Sequence, residues 1–237
     1  MTTLLLDIGN TRIKWATYNK EGLHFEGENN VSEEILHSIF EKKYDMVLVS
    51  NVAGESVNRM ISSCASQNQT IIFLTSEKES PFGVKNGYAI PTQLGVDRWL
   101  ALQAAWQRYA SSCCIISCGT AITIDYIDNS SQHLGGFIYP GLSMMRKALH
   151  AGTAALPYVT ENISLSSKQL ANNTVDAIAR GTVLGITDFI NAQLLRYQTE
   201  HSILTGGDAD TILPLLTGNV EIDPLLVLKG AALYVSR

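Results

Sequence analysis

The stretches LLLDIGNTRIKW, residues 4–15, and CIISCGTAITID, residues 114–125, lie over one another at an offset of 110 residues. In each, an apolar strand runs into a glycine turn with small hydroxyl or amide residues, and a second strand follows. Asp7-Ile8-Gly9-Asn10-Thr11 falls on Ser117-Cys118-Gly119-Thr120-Ala121. Two such units half a chain apart predict a duplicated fold with a cleft between its halves. Strand–glycine–strand hairpins are also common by chance, so the match needs support from the rest of the chain.

Other strand-like segments are short, rich in β-branched or bulky apolar residues, and bounded by Gly, Asn, Asp or Pro. They span 3–8, 12–18, 46–52, 70–75, 113–117, 122–128 and 133–139, with HSILT just before Gly206. Helical patterns cover 32–43, 54–66, 96–110, 141–150, 173–198 and 224–235. In the longest, Val175, Ile178, Ala179, Val183, Ile186, Ile190 and Leu194 recur at steps of three or four and predict one buried face. Asn173 or Thr174 suits its start as a cap. The class is α/β, with a hairpin opening each of two sheets, and the expected halves are residues 1–112 and 113–237.

A chain of 237 residues with 46% hydrophobic and 16% charged residues is ordinary for a soluble protein. Its net charge of -5 argues against a broad nucleic-acid footprint, which needs a basic face. The N-terminal MTTLLLDIGN lacks a basic leader and breaks its apolar run at Asp7, and no window approaches a membrane span. A cytoplasmic location is expected. Cys64, Cys113, Cys114 and Cys118 lack metal-ligand spacing and suit reduced, buried thiols. His24, His37, His133, His150 and His201 form no metal pattern and receive no role.

Four stretches could carry chemistry. In DIGNTRIK, residues 7–14, Gly9 permits a tight turn, Asn10 tolerates left-handed geometry, and the turn amides suit phosphate oxygens. Thr11 adds a hydroxyl, Asp7 could hold Mg²⁺ through water, and Arg12 and Lys14 share a strand face that can reach a phosphate. A hairpin with a solvated basic edge would look similar. Thr205-Gly206-Gly207 sits at a strand-to-helix turn where a flat ligand or phosphate could lie, although such turns are common. NGYAIPTQLGVDRW, residues 86–99, sets Asp97 and Arg98 after Gly95 at a helix start. That pattern suits dipole compensation, or a carboxylate base beside a guanidinium for an acidic substrate. LGGFIYPG, residues 134–141, and NNTVDAIARG, residues 172–181, could be structural.

Taken in order, DIGNTRIK, LGVDRW, CGTAITID, GGFIYPG, NTVDAI and ILTGGDA resemble the type III pantothenate kinases, over residues 4 to about 209. The resemblance implies the duplicated actin-like, ribonuclease H-like ATPase fold, with two related halves around an ATP cleft. It implies ATP-dependent phosphorylation of pantothenate to 4′-phosphopantothenate, the first step of coenzyme A synthesis, by a cytoplasmic homodimer without membrane or nucleic-acid partners. Asp7, Gly9, Asn10, Thr11 and Lys14 match the first phosphate motif, Gly119 and Thr120 the second, and Thr205, Gly206 and Gly207 the adenosine motif. Tyr88, Gly95, Val96, Asp97, Arg98 and Thr174 match pantothenate-binding positions, with Asp97 as catalytic base and Arg98 facing the pantothenate carboxylate. The implied cofactors are Mg²⁺ at Asp7 and a monovalent cation, K⁺ or NH₄⁺.

One position departs from the pattern. Where the family usually has an aspartate that ligates the monovalent cation, this chain has Ser117. A hydroxyl can coordinate K⁺ but lacks the charge that holds it, so an active kinase with weak or absent potassium dependence is expected. Two other outcomes stay open: a family member without catalysis that acts as a regulatory accessory, and a kinase of another small alcohol or sugar.

Overall fold

A computed structural model describes residues 1–66, 69–160 and 170–235. The LLL run is fully buried because its strand, β1 (Thr3–Ile8), has neighbours on both sides and helices on both faces. It pairs antiparallel with β2 (Arg12–Asn19) and parallel with β4 (Met46–Asn51). The flanking strands are β3 (Gly22–Asn30) beside β2 and β5 (Thr70–Phe73) beside β4, giving the order β3-β2-β1-β4-β5.

Alternation along β1 distributes its side chains between two cores. Leu4, Leu6 and Ile8 pack with α1 (Glu33–Phe40) and α2 (Glu55–Cys64), through Leu36, Ile39, Val57 and Ile61. Leu5 faces the other way, toward Val96 and Leu100 of α3 (Val96–Tyr109) and Leu228 and Ala231 of α7 (Leu226–Ala232). Each fully buried leucine contributes roughly 1.5–3 kcal/mol.

The second sheet is built from β6 (Cys113–Cys118), β7 (Ala121–Ile127), β8 (His133–Pro140), β9 (His201–Thr205) and β10 (Val220–Ile222), in the order β10-β9-β6-β7-β8. Substituting β6 for β1, β7 for β2, β8 for β3, β9 for β4 and β10 for β5 turns one order into the other. The directions agree as well: β6 is antiparallel to β7 and parallel to β9, and β9 is parallel to β10. The offset of 110 residues is a structural duplication.

Helix α5 (Thr174–Arg196) is capped by Asn173, whose side chain accepts from the Asp176 N–H at 2.9 Å. Val183, Ile186 and Ile190 pack with Cys114, Ile116 and Cys118 of β6, so the apolar face predicted for this helix is core. Its predicted ends do not all go inside, since Val175 is exposed. Helices α4 (Leu142–Ala151) and α6 (Ala209–Ile212) complete this part of the chain.

The chain divides into two units, and a single cut after residue 112 does not describe them. One comprises Met1–Ala110, Asn129–Leu134 and Leu225–Arg237, the other Ser111–Asp128 and Gly135–Pro224. The C-terminal helix joins the first unit because Leu226, Leu228 and Ala231 are buried and α7 packs on the Leu5 face of the first sheet. The β7–β8 connection joins it through backbone pairing, in which Lys85 N–H donates to Ser131 O and His133 N–H to Lys85 O, both at 2.9 Å.

Candidate active site

In the first unit the end of β1 sets the site. Asp7 lies in register with Lys14 across β2 and with Ser50 across β4, so the three side chains form one rung on the Leu5 face. Helix α3 covers that face, and its first turn carries Asp97. Burial, then the charge of Asp97, push the Asp7 carboxyl up to about 7, against the opposing pull of Lys14 and a Ser50 hydrogen bond. Ser50 Oγ donates to Asp7 Oδ1 at 3.3 Å and is itself fully buried.

The turn that follows is closed by Gly9 N–H donating to Arg12 O at 2.9 Å, and Asn10 and Thr11 are exposed on it. Arg12 and Lys14 do share a face. Both approach Glu28 of β3, Arg12 Nη2 at 2.9 Å and Lys14 Nζ at 4.0 Å. A phosphate drawn to these cations therefore competes with a neighbouring carboxylate.

Gly95 precedes α3, and a Cβ there would sit 2.6 Å from Asp97 Oδ1, so a side chain at this position would push the carboxylate from its place. The same oxygen accepts from the Arg98 N–H at 2.9 Å. Val96, read as a substrate contact, is buried in the hydrophobic cluster with Leu5 and Leu100. The Arg98 side chain is only 7% exposed, and its Nη1 donates to Tyr88 Oη at 2.9 Å. The first unit thus gathers Asp7, Gly9, Asn10, Thr11, Lys14, Tyr88, Gly95, Val96, Asp97 and Arg98.

In the second unit, Gly119 N–H donates to Ala121 O at 3.1 Å and Gly141 N–H to Thr120 O at 3.1 Å, which fixes the Gly119-Thr120 turn. The Thr205-Gly206-Gly207 turn lies against it. Asp208 N–H donates to Cys118 O at 2.9 Å, and Gly206, at φ 99°, passes so close to Cys118 that a Cβ would run into its carbonyl. Ser117 is in register with Thr123 and Thr205, a rung of three hydroxyls without a carboxylate. Thr174, the first residue of α5, lines a different feature, an open cavity of about 750 Å³ with Met145, Leu149 and Ile178.

The cysteines are unpaired. Burial pushes Cys113, Cys114 and Cys118 up to about 12, which makes them inert thiols at neutral pH. No group of three or more His, Cys, Asp or Glu with metal-holding geometry occurs among the described residues. Asp7 nevertheless suits a hard divalent cation, because a positive charge beside it would relieve the crowding with Asp97. Ser50 and Glu28 were not read as site residues. Ser50 is visible only once the parallel register of β4 is known, and Glu28 lies on a strand without an apolar pattern.

The family model for type III pantothenate kinases matches residues 3–196. The chain belongs to the type III pantothenate kinase family. The type III pantothenate kinase of Nitrosococcus oceani is 38% identical over 248 residues, covering 97% of this chain and 92% of the relative. Among solved structures, a conserved Baf-family protein of Campylobacter jejuni, described as a candidate transcriptional activator, superposes with a TM-score of 0.63. It is 25% identical and covers 98% of this chain and 97% of that one. The ethanolamine utilization protein EutJ of Carboxydothermus hydrogenoformans gives a TM-score of 0.60 at 13% identity, covering 99% and 90%, a likeness of fold alone. The duplicated sheets of this family member thus form an α/β fold that EutJ shares.

Proposed function

We propose that this chain transfers the γ-phosphoryl group of ATP to the primary hydroxyl of pantothenate, giving ADP and 4′-phosphopantothenate at the start of coenzyme A biosynthesis. The observation that carries this is the pairing of two carboxylates in different environments. Asp7 is driven toward neutrality, and Asp97 sits at the head of a helix beside Arg98. Phosphoryl transfer requires a proton acceptor at the nucleophile and counter-charge at the phosphates, which are distinct tasks. Asp97 accepts the hydroxyl proton as the pantothenate oxygen forms its bond to the γ-phosphorus and the bond to ADP breaks. Lys14 and the amides of the Gly9 turn hold phosphate oxygens, and Asp7 would hold Mg²⁺ through water, an ion that would supply charge neutralisation at the phosphates. Tyr88, Gly95, Val96 and Arg98 hold pantothenate, with Arg98 toward its carboxylate, and Thr174 contributes a further contact.

The second half contributes Gly119 and Thr120 to the phosphates and Thr205, Gly206 and Gly207 to the adenosine. With three hydroxyls in place of a carboxylate at the Ser117 rung, turnover depends weakly or not at all on potassium or ammonium. The enzyme works as a cytoplasmic homodimer without nucleic-acid or membrane partners.

A regulatory role without catalysis is the second reading, favoured by Ser117 and by the description of the Campylobacter relative. Coupled ADP release with ATP, Mg²⁺ and pantothenate, in sodium and then potassium buffer, separates the two. Pantothenate-dependent turnover that Asp97→Asn abolishes is the expected result. Folded protein that binds nucleotide without turnover in either buffer would favour the regulatory role. Turnover with a sugar or another small alcohol in place of pantothenate would change the substrate and keep the chemistry.

A further inference from the structure

Tyr88 lies in an irregular stretch between β5 and α3, so its ring direction is not set by a helix or strand. Several contacts set it instead. Its own N–H donates to Asn86 Oδ1 at 3.0 Å, and Asn86 Nδ2 donates to Glu77 O at 3.1 Å and Pro91 O at 3.2 Å. The ring itself is met by a residue 45 positions further along the chain. His133, fully buried, stacks on Tyr88 with centroids 5.8 Å apart and planes 18° apart, and its Nδ1 accepts from the Gly87 N–H at 3.4 Å. His133 is carried there by the β7–β8 connection, which is stitched to the 83–87 stretch. Ser131 Oγ donates to Gly83 O at 2.7 Å, and the Lys85 backbone pairs on both sides.

We propose that His133 is a positioning residue for the acceptor substrate. It fixes the plane of the Tyr88 ring and thereby the hydroxyl that receives Arg98 Nη1. The Arg98 guanidinium carbon also lies 5.6 Å from the centroid of that ring, so the arginine is held by the edge and the π system of one tyrosine. A tyrosine free to swing would withdraw the Oη acceptor and the ring face from the guanidinium, and a bidentate grip on a carboxylate requires a defined orientation. The acceptor at Nδ1 and the aromatic face are separable contributions, which makes the role of His133 testable. The proposal rests on the assignment of Tyr88 and Arg98 to pantothenate.

The test is steady-state kinetics with each substrate varied, together with calorimetric titration of pantothenate and a melting curve for every variant. His133→Ala removes both contributions and is expected to raise KM and Kd for pantothenate about tenfold, with kcat and KM for ATP changed less than about twofold. His133→Phe keeps the stacking face and His133→Asn keeps an acceptor for Gly87. Each is expected to recover part of the loss, leaving roughly a two- to fivefold effect. In the Tyr88→Phe background, which lacks the hydroxyl for Arg98, His133→Phe is expected to add less than it does in the parent. Folded His133→Ala and His133→Phe with parental pantothenate KM would overturn the proposal. So would equal losses toward ATP and pantothenate, which mark a merely structural residue. Tyr88→Phe and Arg98→Lys are the controls for the underlying assignment. If neither changes pantothenate affinity, the substrate assignment fails and takes the role of His133 with it; if they do and His133 does not, only the positioning role fails.

Discussion

The two hairpins that open the sheets share strand order and direction but differ in charge. Across the first the rung reads Lys14–Asp7–Ser50, and across the second it reads Thr123–Ser117–Thr205. The turns differ by one residue as well. Ile8 pairs with Ile13 around Gly9–Arg12, whereas Cys118 pairs with Ile122 around Gly119–Ala121. The ungapped alignment at 110 therefore holds through the first strand and the glycine, then slips by one, so that Thr123 stands where Lys14 does. A common backbone supplies turn amides in both halves, while a cation and an anion are placed in only one. That asymmetry suits a division of labour in which charged chemistry falls to the first unit's rung and the second unit's turn offers neutral donors.

The largest test makes the first rung resemble the second. Asp7→Ser is expected to lower kcat by about 10²–10³-fold, because the proposed Mg²⁺ position loses its anionic oxygen and Lys14 its counter-charge together. Coupled ADP release over a Mg²⁺ series reads it, with circular dichroism to check folding. Retention of parental kcat at saturating Mg²⁺ would mean that the charged rung is not the catalytic half of the pair.

A second prediction concerns stability without ligands. The Asp7 carboxyl is raised from its ordinary 3.8 to about 7, first by burial and then by Asp97. Because the folded value lies above the unfolded one, its contribution is complete below pH 4 and is lost as pH rises through 7. Asp7→Asn should flatten that loss, by something on the order of 1–3 kcal/mol between pH 5 and 8. Urea melts of both proteins across that range measure it, and parallel pH profiles would show that Asp7 ionises normally. The second hairpin, with Ser117 in place of a carboxylate, provides no such slope.

Much of this architecture was legible because the strands that matter most are apolar on both faces and end in glycine turns. TLLLDI and CCIISC announce themselves in that way. β3 did not, since GLHFEGENN is mostly exposed and its partner β2 carries an irregularity between Trp15 and Ala16. β10 is three residues long, too short for any period to show. Asp7, Asp97 and Arg98 could be offered as candidates because they sit in compact motifs. Ser50 and His133 could not, for each meets its partner more than 40 positions away, a relation created by strand register and loop docking rather than spacing.

A third prediction restores charge to the second rung. Ser117→Asp is expected to create potassium activation of roughly five- to tenfold and a higher melting temperature in KCl than in NaCl. The parent should show neither difference. Saturable potassium activation of the parent would mean that the three hydroxyls already suffice.

The smallest effect separates the third members of the rungs, Ser50 and Thr205. Ser50 Oγ reaches Asp7 at 3.3 Å, a long hydrogen bond to a group that is costly to ionise, so its loss should shift metal affinity more than fold stability. Ser50→Ala is expected to raise the Mg²⁺ concentration for half-maximal rate about two- to fivefold and to move the acid limb of the kcat profile upward, since a contact that favours the carboxylate is gone. Ser50→Thr copies the residue of the second half and retains the hydroxyl. Because Ser50 is fully buried, the added methyl must find room, so this variant should lose stability rather than metal affinity. If the alanine variant keeps its Mg²⁺ dependence while the threonine variant loses it, the packing of the site around β4 matters more than the hydroxyl.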